Sequence, residues 1–158
     1  MRASQSRVKS MRAICCTLLL SASLFGCATT PMSASQATPV ASDRVLAFQE
    51  SSSAASGTLI VTRDQGFLGG GCYYGFFIND ILAARFDVAE TAKFQVQPGE
   101  LVLRSGRDPE GRALCGAGQQ EWTQRETILR DGETKYFRLS IDANGKTDIQ
   151  RADPVSAP

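Results

Sequence analysis

The chain has 158 residues, with 17 Lys and Arg against 16 Asp and Glu, and it contains no histidine. The length suits a single domain. Without histidine, a Ser-His-Asp triad, a Cys-His pair and His-containing metal sites are excluded, although carboxylate pairs, Ser-Lys pairs and thiolates could still act. The near balance of charges argues against nucleic acid, which requires a concentrated basic surface. These features predict a protein that is not an enzyme and uses no cofactor or metal.

Residues 1–26 have the layout of a secretory signal peptide. A basic region with four Lys and Arg residues precedes an apolar run over residues 13–25, which is too short for a comfortable membrane span. Removal of this leader leaves 13 basic and 16 acidic residues, so the mature chain carries a net charge of −3. The mild positive charge of the full chain is therefore a property of the leader.

The leader ends in Leu-Phe-Gly-Cys at residues 24–27 instead of the usual Ala-x-Ala cleavage site. This ending resembles the lipobox of bacterial lipoproteins, in which the cysteine is acylated, for example with palmitate, and becomes the first mature residue. The resemblance implies a lipid anchor on Cys27 that holds the protein in a membrane. Ala28 is not acidic, which in lipoproteins of this type implies delivery to the outer membrane, with the domain facing the periplasm.

Five cysteines reduce to one candidate pair after processing. Cys15 and Cys16 leave with the leader and Cys27 is assigned to the lipid, so Cys72 and Cys115 remain. In an oxidising compartment we expect them to form a disulfide, and closing a loop of that length constrains the unfolded chain by about 4 kcal/mol in the loop-entropy account. Two separate buried thiols are the alternative, whereas two cysteines without histidine cannot complete a zinc site.

Residues 27–56 are predicted to be the lipidated cysteine followed by a flexible tether. The segment 28–42 is uncharged and rich in Ser, Thr, Ala and Pro, and a flexible chain of that length spans roughly 20 Å. Ser42 and Asp43 could cap a short helix over residues 44–50. The sequence therefore predicts a spacer between membrane and domain that contains at most one short helix.

From residue 57 to residue 153 the sequence is typical of one β-domain, with short alternating runs separated by turn signals. Phe137 and Leu139 alternate with polar neighbours, and the Asn-Asp pair at 79–80 suits a primed hairpin turn. The pattern predicts an all-β fold, an antiparallel β-sandwich of about seven to eight strands, followed by a disordered tail over residues 154–158. The predicted strands cover residues 58–62, 73–78, 81–86, 92–96, 101–105, 122–129, 135–141 and 146–151.

Two glycine-rich segments, 64–71 and 106–120, interrupt this pattern, and each ends at or contains one of the two mature cysteines. A disulfide would join them at one place on the sandwich, and binding residues often lie in such loops. The glycines do not fit a Walker loop, because Cys72 occupies the lysine position, and tight turns explain them better. For the charged residues of the second segment the sequence favours a solvated loop over a binding role, and for Trp122 it favours core packing over a ligand platform. The candidate binding residues are Gly66, Phe67, Leu68, Arg107, Asp108, Glu110, Arg112 and Trp122.

Several turn motifs allow a comparison with known families. The Arg-Asp-x-Gly turn at 63–66, the Ile-Asn-Asp hairpin at 78–80, the Pro-Gly-Glu turn at 98–100 and the Gly-Glu-Thr-x-Tyr segment at 132–136 resemble those of proteobacterial lipoproteins that carry a domain of unknown function. That domain is similar in style to small sandwich modules named for a Pro-Glu-Gly-Ala turn. The resemblance covers residues 57–153 and implies an exported sandwich with no assigned reaction.

The function expected from these features is a lipid-anchored, periplasm-facing module that binds or supports an envelope protein or polymer without catalysis. The alternative is a carboxylate-based envelope hydrolase that uses Asp108 and Glu110. An isopropylmalate dehydratase name, which some similar sequences carry, is not supported by the residues. That class holds an iron–sulfur cluster by three thiolates, and the mature chain has two cysteines besides Cys27.

Overall fold

Two β-sheets packed face to face form the described part of the chain. The computed structural model describes residues 29–50, 56–67 and 70–153. The predicted leader, Cys27 and the predicted tail at 154–158 lie outside these residues. The strands and 3-10 helices of the described part are β1 (Thr38–Pro39), η1 (Ser42–Arg44), β2 (Gly57–Arg63), β3 (Tyr74–Ile78), β4 (Ile81–Phe86), β5 (Glu90–Val96), β6 (Gly99–Arg107), η2 (Ala113–Gly116), β7 (Trp122–Leu129), β8 (Thr134–Ile141) and β9 (Thr147–Ala152).

The strands form a sandwich of one five-stranded and one four-stranded sheet. The orders are β1-β5-β2-β8-β9 and β4-β3-β6-β7. The predicted sandwich is confirmed, and each of the eight predicted strands is present with ends within two residues of those expected. The sandwich is not purely antiparallel, because β1 pairs with β5 and β2 with β8 in parallel. Between β2 and β8 the chain passes through the other sheet. Because no tight hairpin joins these two strands, they can pair in parallel.

The core lies between the sheets and is filled by the inward-facing residues of both. Phe137 and Leu139, predicted to share one face, are both buried there. Phe76 of one sheet stacks on Phe94 of the other at a centroid distance of 5.7 Å, and Phe86 meets Phe76 edge-on at 6.2 Å. Such aromatic pairs add about 0.5–1.5 kcal/mol to the free energy gained from area burial. The alternation in the sequence therefore identifies the core faces correctly.

The β3–β4 hairpin turns at Asn79 and Asp80, as the sequence predicts. Both residues have positive φ, 47° and 67°, as a type I′ turn requires. Asn79 Oδ1 accepts a hydrogen bond from the Val102 N–H at 2.9 Å, and Asp80 Oδ1 lies 2.7 Å from Arg104 Nη2. The side chains of the turn thus fasten the hairpin to β6, its neighbour in the sheet.

Residues 29–50 lie along the sandwich, contrary to the flexible tether predicted for them. β1 pairs with β5, and Val40, which follows β1, is buried and donates its N–H to the Thr91 carbonyl at 2.9 Å. Further along, the Leu46 N–H donates to the Ala83 carbonyl of β4 at 2.8 Å. The segment therefore covers the edges of both sheets and pairs backbone groups that would otherwise face water.

A single 3-10 turn replaces the helix predicted over residues 44–50. It spans Ser42–Arg44, and none of residues 45–50 is helical. Arg44 makes two hydrogen bonds to the Glu90 carboxylate, at 2.6 and 2.5 Å, and a third to the Arg85 carbonyl at 2.9 Å. A short isolated helix is marginal in water, so these contacts with β4 and β5 favour the docked path.

Candidate functional site

One end of the sandwich gathers the features that the sequence singled out. The registers show that β2, β4, β6 and β8 end there and that β3, β5, β7 and β9 begin there. The glycine-rich segments that follow β2 and β6 therefore emerge at the same end. We call this region the loop end. It comprises residues 29–31, 64–67, 70–73, 87–89, 108–121 and 142–146.

Cys72 and Cys115 form the predicted disulfide, with an S–S distance of 2.02 Å and a Cα–Cα distance of 5.4 Å. Cys72 lies just before β3, and Cys115 lies in the 3-10 helix of the β6–β7 connection. Cys115 Sγ is also 3.5 Å from the carbonyl oxygen of Gly71. The bond joins two loops, as the sequence predicts. We call them the stapled loops: the described residues of the first are 64–67 and 70–73, and the second is 108–121.

Each stapled loop exposes a large apolar side chain. Phe67 is 97% exposed, at a turn closed by a hydrogen bond of 3.0 Å from the Gly70 N–H to the Phe67 carbonyl. Leu114, beside Cys115, is 85% exposed, and the other exposed large hydrophobics of the described residues reach 58% at most. The sequence singles out Phe67 but not Leu114, whose only signal is its place next to a cysteine. Leu68, also predicted, lies outside the described residues.

The first described residues of the chain lie at the same end. The Thr29 N–H donates to the Ile141 carbonyl at 3.0 Å, and the Thr29 hydroxyl accepts from the Ile141 N–H at 2.9 Å. Thr30 and Gln65 exchange backbone hydrogen bonds of 2.6 and 3.1 Å. A Cβ at Gly66 would lie 3.0 Å from the Thr29 Cα, so glycine permits this close approach. The predicted residue Gly66 therefore sets the start of the described chain against the first stapled loop.

Arg85 pairs with both candidate acids of the second stapled loop. Asp108 is buried, and its Oδ1 lies 3.2 Å from Arg85 Nε without the alignment of a hydrogen bond. Glu110 Oε1 pairs with Arg85 Nη2, and the Glu110 N–H donates to Asp108 Oδ1 at 3.0 Å. Arg112, the next predicted residue, is exposed. The two carboxylates are therefore compensated by one guanidinium and help to shape the loop.

Arg107 and Trp122, the remaining candidates, flank the second stapled loop at the ends of β6 and β7. Arg107 donates to the Leu114 carbonyl at 3.3 Å. The Trp122 ring meets Phe77 edge-on at 5.0 Å, and the Arg104 guanidinium lies 5.3 Å from its centroid. Neither ring belongs to the core cluster between the sheets. Trp122 therefore packs on the outer face of the four-stranded sheet, and the predicted core packing is not what the structure has.

Arg63 supports the loop end from inside and is not among the predicted site residues. It is buried at the end of β2, and its Nη1 donates to the carbonyls of Cys72 and Phe86, both at 2.8 Å. Its guanidinium lies 4.3 Å from the centroid of the Tyr74 ring. Burial lowers the pKa of Arg63 to about 10, so the side chain stays charged at neutral pH. The only signal in the sequence is its place in the Arg-Asp-x-Gly turn.

Asp64, the next residue, is buried beneath the start of the described chain. Its Oδ2 lies 3.1 Å from Arg138 Nη1, and its Oδ1 accepts from the Met32 N–H at 3.2 Å. Burial raises the pKa of Asp64 to about 6, against the opposing effects of Arg138 and of the Met32 N–H. Asp64 is thus a titratable link between the N-terminal segment and β8.

Two open clefts flank the loop end. One, of about 460 Å³, lies between the second stapled loop and the β8–β9 turn, with Tyr74, Trp122 and Asn144 in its lining. The other, of about 520 Å³, includes Asp64 and Arg138. Neither cleft is lined by the two candidate acids of the second stapled loop. Both are lined by mixed polar and apolar groups on a shallow surface.

No protein-family model matches the chain, and no curated protein matches it. The structure contains no helix, within the part it describes, that is long and apolar enough to cross a membrane. Among residues 29–50, 56–67 and 70–153, the Cys, Asp and Glu side chains form no group of three that could hold a metal ion. A proposal for the function therefore rests on the sequence and on the geometry of the loop end.

Proposed function

We propose that this chain is a lipid-anchored envelope module with a binding or structural role and no catalytic activity. Acyl chains on Cys27 hold it in the outer membrane, and the sandwich faces the periplasm. The leader and the Leu-Phe-Gly-Cys ending support the anchor. The Cys72–Cys115 disulfide is typical of a protein in an oxidising compartment. We also place the chain, by its turn motifs, among the proteobacterial lipoproteins that it resembles.

The observation that carries the binding role is the exposure of Phe67 and Leu114 on two loops joined by a disulfide. Large apolar side chains at 97% and 85% exposure lose favourable burial energy unless another surface covers them. The disulfide limits the conformations of both loops, so less ordering entropy is lost on contact. The loop end is therefore the contact surface for a component of the envelope, either a protein or a polymer or the membrane itself.

A carboxylate-based hydrolase has less support. Such an enzyme requires one carboxylic acid and one carboxylate that can reach a substrate. Asp108 is buried and both Asp108 and Glu110 are paired with Arg85. The alternative would regain support if the wild-type protein hydrolysed a component of the cell envelope and a folded Asp108→Asn variant did not.

Fractionation of cells tests the anchor. Wild-type protein should sediment with the membranes as the cleaved form. The Cys27→Ser variant should instead be either soluble in the periplasm or uncleaved, with its leader still attached. Cys16→Ser is the matched control, because it changes a cysteine of the leader and leaves the lipobox intact. If the Cys27→Ser protein lost its leader and still sedimented with the membranes as the wild type does, the proposed anchor would be contradicted.

The choice of membrane is tested by Ala28→Asp. An acidic residue after the acylated cysteine should retain the protein in the inner membrane, so density-gradient separation should show the variant shifted from the outer-membrane fraction. Ala28→Ser, which stays uncharged, should remain with the wild type. Equal distribution of the Asp and Ser variants would contradict outer-membrane delivery through residue 28.

A further inference from the structure

We propose that the surface covering the loop end is the lipid bilayer itself, with Phe67 and Leu114 inserted into the interface of the membrane that holds the acyl chains of Cys27. The inference rests on the proposed function, because it takes Cys27 to be acylated. The sequence alone predicts a spacer of roughly 20 Å between membrane and domain. In the arrangement proposed here, the sandwich lies directly against the membrane.

The reach of the chain places the anchor at the loop end. Cys27 precedes Thr29 by two residues, and two residues of extended chain span at most about 7 Å. Thr29 is held by three hydrogen bonds to Ile141, at 3.0, 2.9 and 3.2 Å. The membrane surface therefore lies within a short distance of Thr29, and Gly66 approaches Thr29 closely enough that a Cβ would contact it.

The side chains nearest to this attachment point suit a lipid surface. Phe67 follows Gly66 directly and is 97% exposed, and Leu114 on the second stapled loop is 85% exposed. Apolar and aromatic side chains on an anchored protein gain burial energy by entering the boundary between headgroups and acyl chains, about 5–10 Å deep. The disulfide fixes the two loops to each other, so both can meet one surface.

The contact is apolar in character. The mature chain carries a net charge of −3, which does not favour attraction to anionic lipids. Asp108 and Glu110 in the second stapled loop are compensated by Arg85, and Arg112 beside Leu114 is exposed. Insertion should therefore depend weakly on salt and on the fraction of anionic lipid, unlike a polybasic contact.

Single-tryptophan reporters test the proposal in the acylated mature protein. In a Trp122→Phe background, Phe67→Trp and Leu114→Trp place reporters at the loop end, and Ile81→Trp is the matched control, half-exposed at the opposite hairpin end. The proteins are reconstituted in phosphatidylethanolamine–phosphatidylglycerol vesicles with and without bromine on the acyl chains. Emission at positions 67 and 114 should be quenched several-fold more than emission at position 81.

The outcomes separate this inference from the proposed function, because the mass of each sample reports acylation of Cys27. Acylated protein with equal quenching at positions 67 and 81 would overturn the inference alone. So would a photo-crosslinker at position 67 that reacts in cells with a protein instead of lipid. An unacylated Cys27 would overturn the proposed function and the inference together. If Trp122→Phe does not fold, the reporters are read by difference in the parent protein.

Discussion

Thr29 and Ile141, 112 residues apart, exchange hydrogen bonds at the end of β8. The Thr29 N–H donates to the Ile141 carbonyl at 3.0 Å, and the Thr29 hydroxyl accepts from the Ile141 N–H at 2.9 Å and donates to the carbonyl at 3.2 Å. This contact fixes the chain two residues after the predicted lipid attachment. The sandwich and the proposed anchor are therefore joined without a free spacer.

Replacing Thr29 with Val should loosen this junction. The variant keeps the shape of the side chain but loses the hydroxyl, and a typical hydrogen bond contributes about 1 kcal/mol to stability. Amide hydrogen exchange should show reduced protection of the Ile141 N–H. Thr30→Val is the control, since the Thr30 side chain is exposed and its bridge to Gln65 uses backbone atoms. Unchanged protection of Ile141 in the Thr29 variant would contradict the junction.

Removing the disulfide should destabilise the protein strongly. Loss of a native disulfide from a small exported domain costs about 2–5 kcal/mol, so the Cys72→Ser, Cys115→Ser double variant should unfold at a clearly lower urea concentration than the wild type. Alkylation of the unreduced wild-type protein should leave both cysteines unmodified. Reaction of either thiol without reductant would show that the bond is not formed in solution.

The buried Asp64 should make stability depend on pH. Its pKa is raised from 3.8 to about 6 in the folded protein, so the folded state binds the proton more tightly than the unfolded state. The free energy of unfolding should therefore fall by up to about 3 kcal/mol as pH rises from about 4 to about 6. Above that range it should level off. Asp64→Asn removes the titration. A difference between wild type and variant that stays constant over this pH range would contradict the assignment.

The Arg44–Glu90 pair should show energetic coupling. Arg44→Met leaves the largely buried Glu90 carboxylate without its partner, which costs about 3 kcal/mol when one member of a buried pair is removed. Adding Glu90→Gln should recover much of that loss, as measured by urea unfolding in a double-mutant cycle. Arg130→Met is the control, because the exposed Arg130–Glu133 pair should contribute less than about 1 kcal/mol. Additive effects at Arg44 and Glu90 would contradict a docked N-terminal segment.

The strands could be predicted because their signals are local. Alternation at Phe137 and Leu139 and the Asn-Asp turn at 79–80 depend only on neighbouring residues. The docking of residues 29–50 could not be predicted in the same way. It depends on backbone hydrogen bonds to β4 and β5 and on the ion pair between Arg44 and Glu90, which are 46 positions apart. A segment rich in Ser, Thr, Ala and Pro, such as residues 28–42, resembles a linker in sequence even where the edge of a sheet holds part of it.

The candidate site was predicted in part. The two cysteines and the glycine-rich segments around them predict that two loops meet, and Phe67 lies in the first of these segments. Asp108 and Glu110 looked available for chemistry because Arg85, on another strand, gives no local sign that it will pair with them. The exposure of Leu114 cannot be predicted in this way, because it depends on the path of the loop, which sequence alternation does not describe outside regular strands.

The intact mass of the mature protein purified from membranes tests the central claim most directly. A lipid-anchored module should give a chain that begins at Cys27 and carries a diacylglyceryl group and an N-linked acyl chain, and the Cys27→Ser protein should lack both. A wild-type chain that retains residues 1–26, or that begins elsewhere without acyl groups, would contradict the anchor and the placement of the loop end on the membrane.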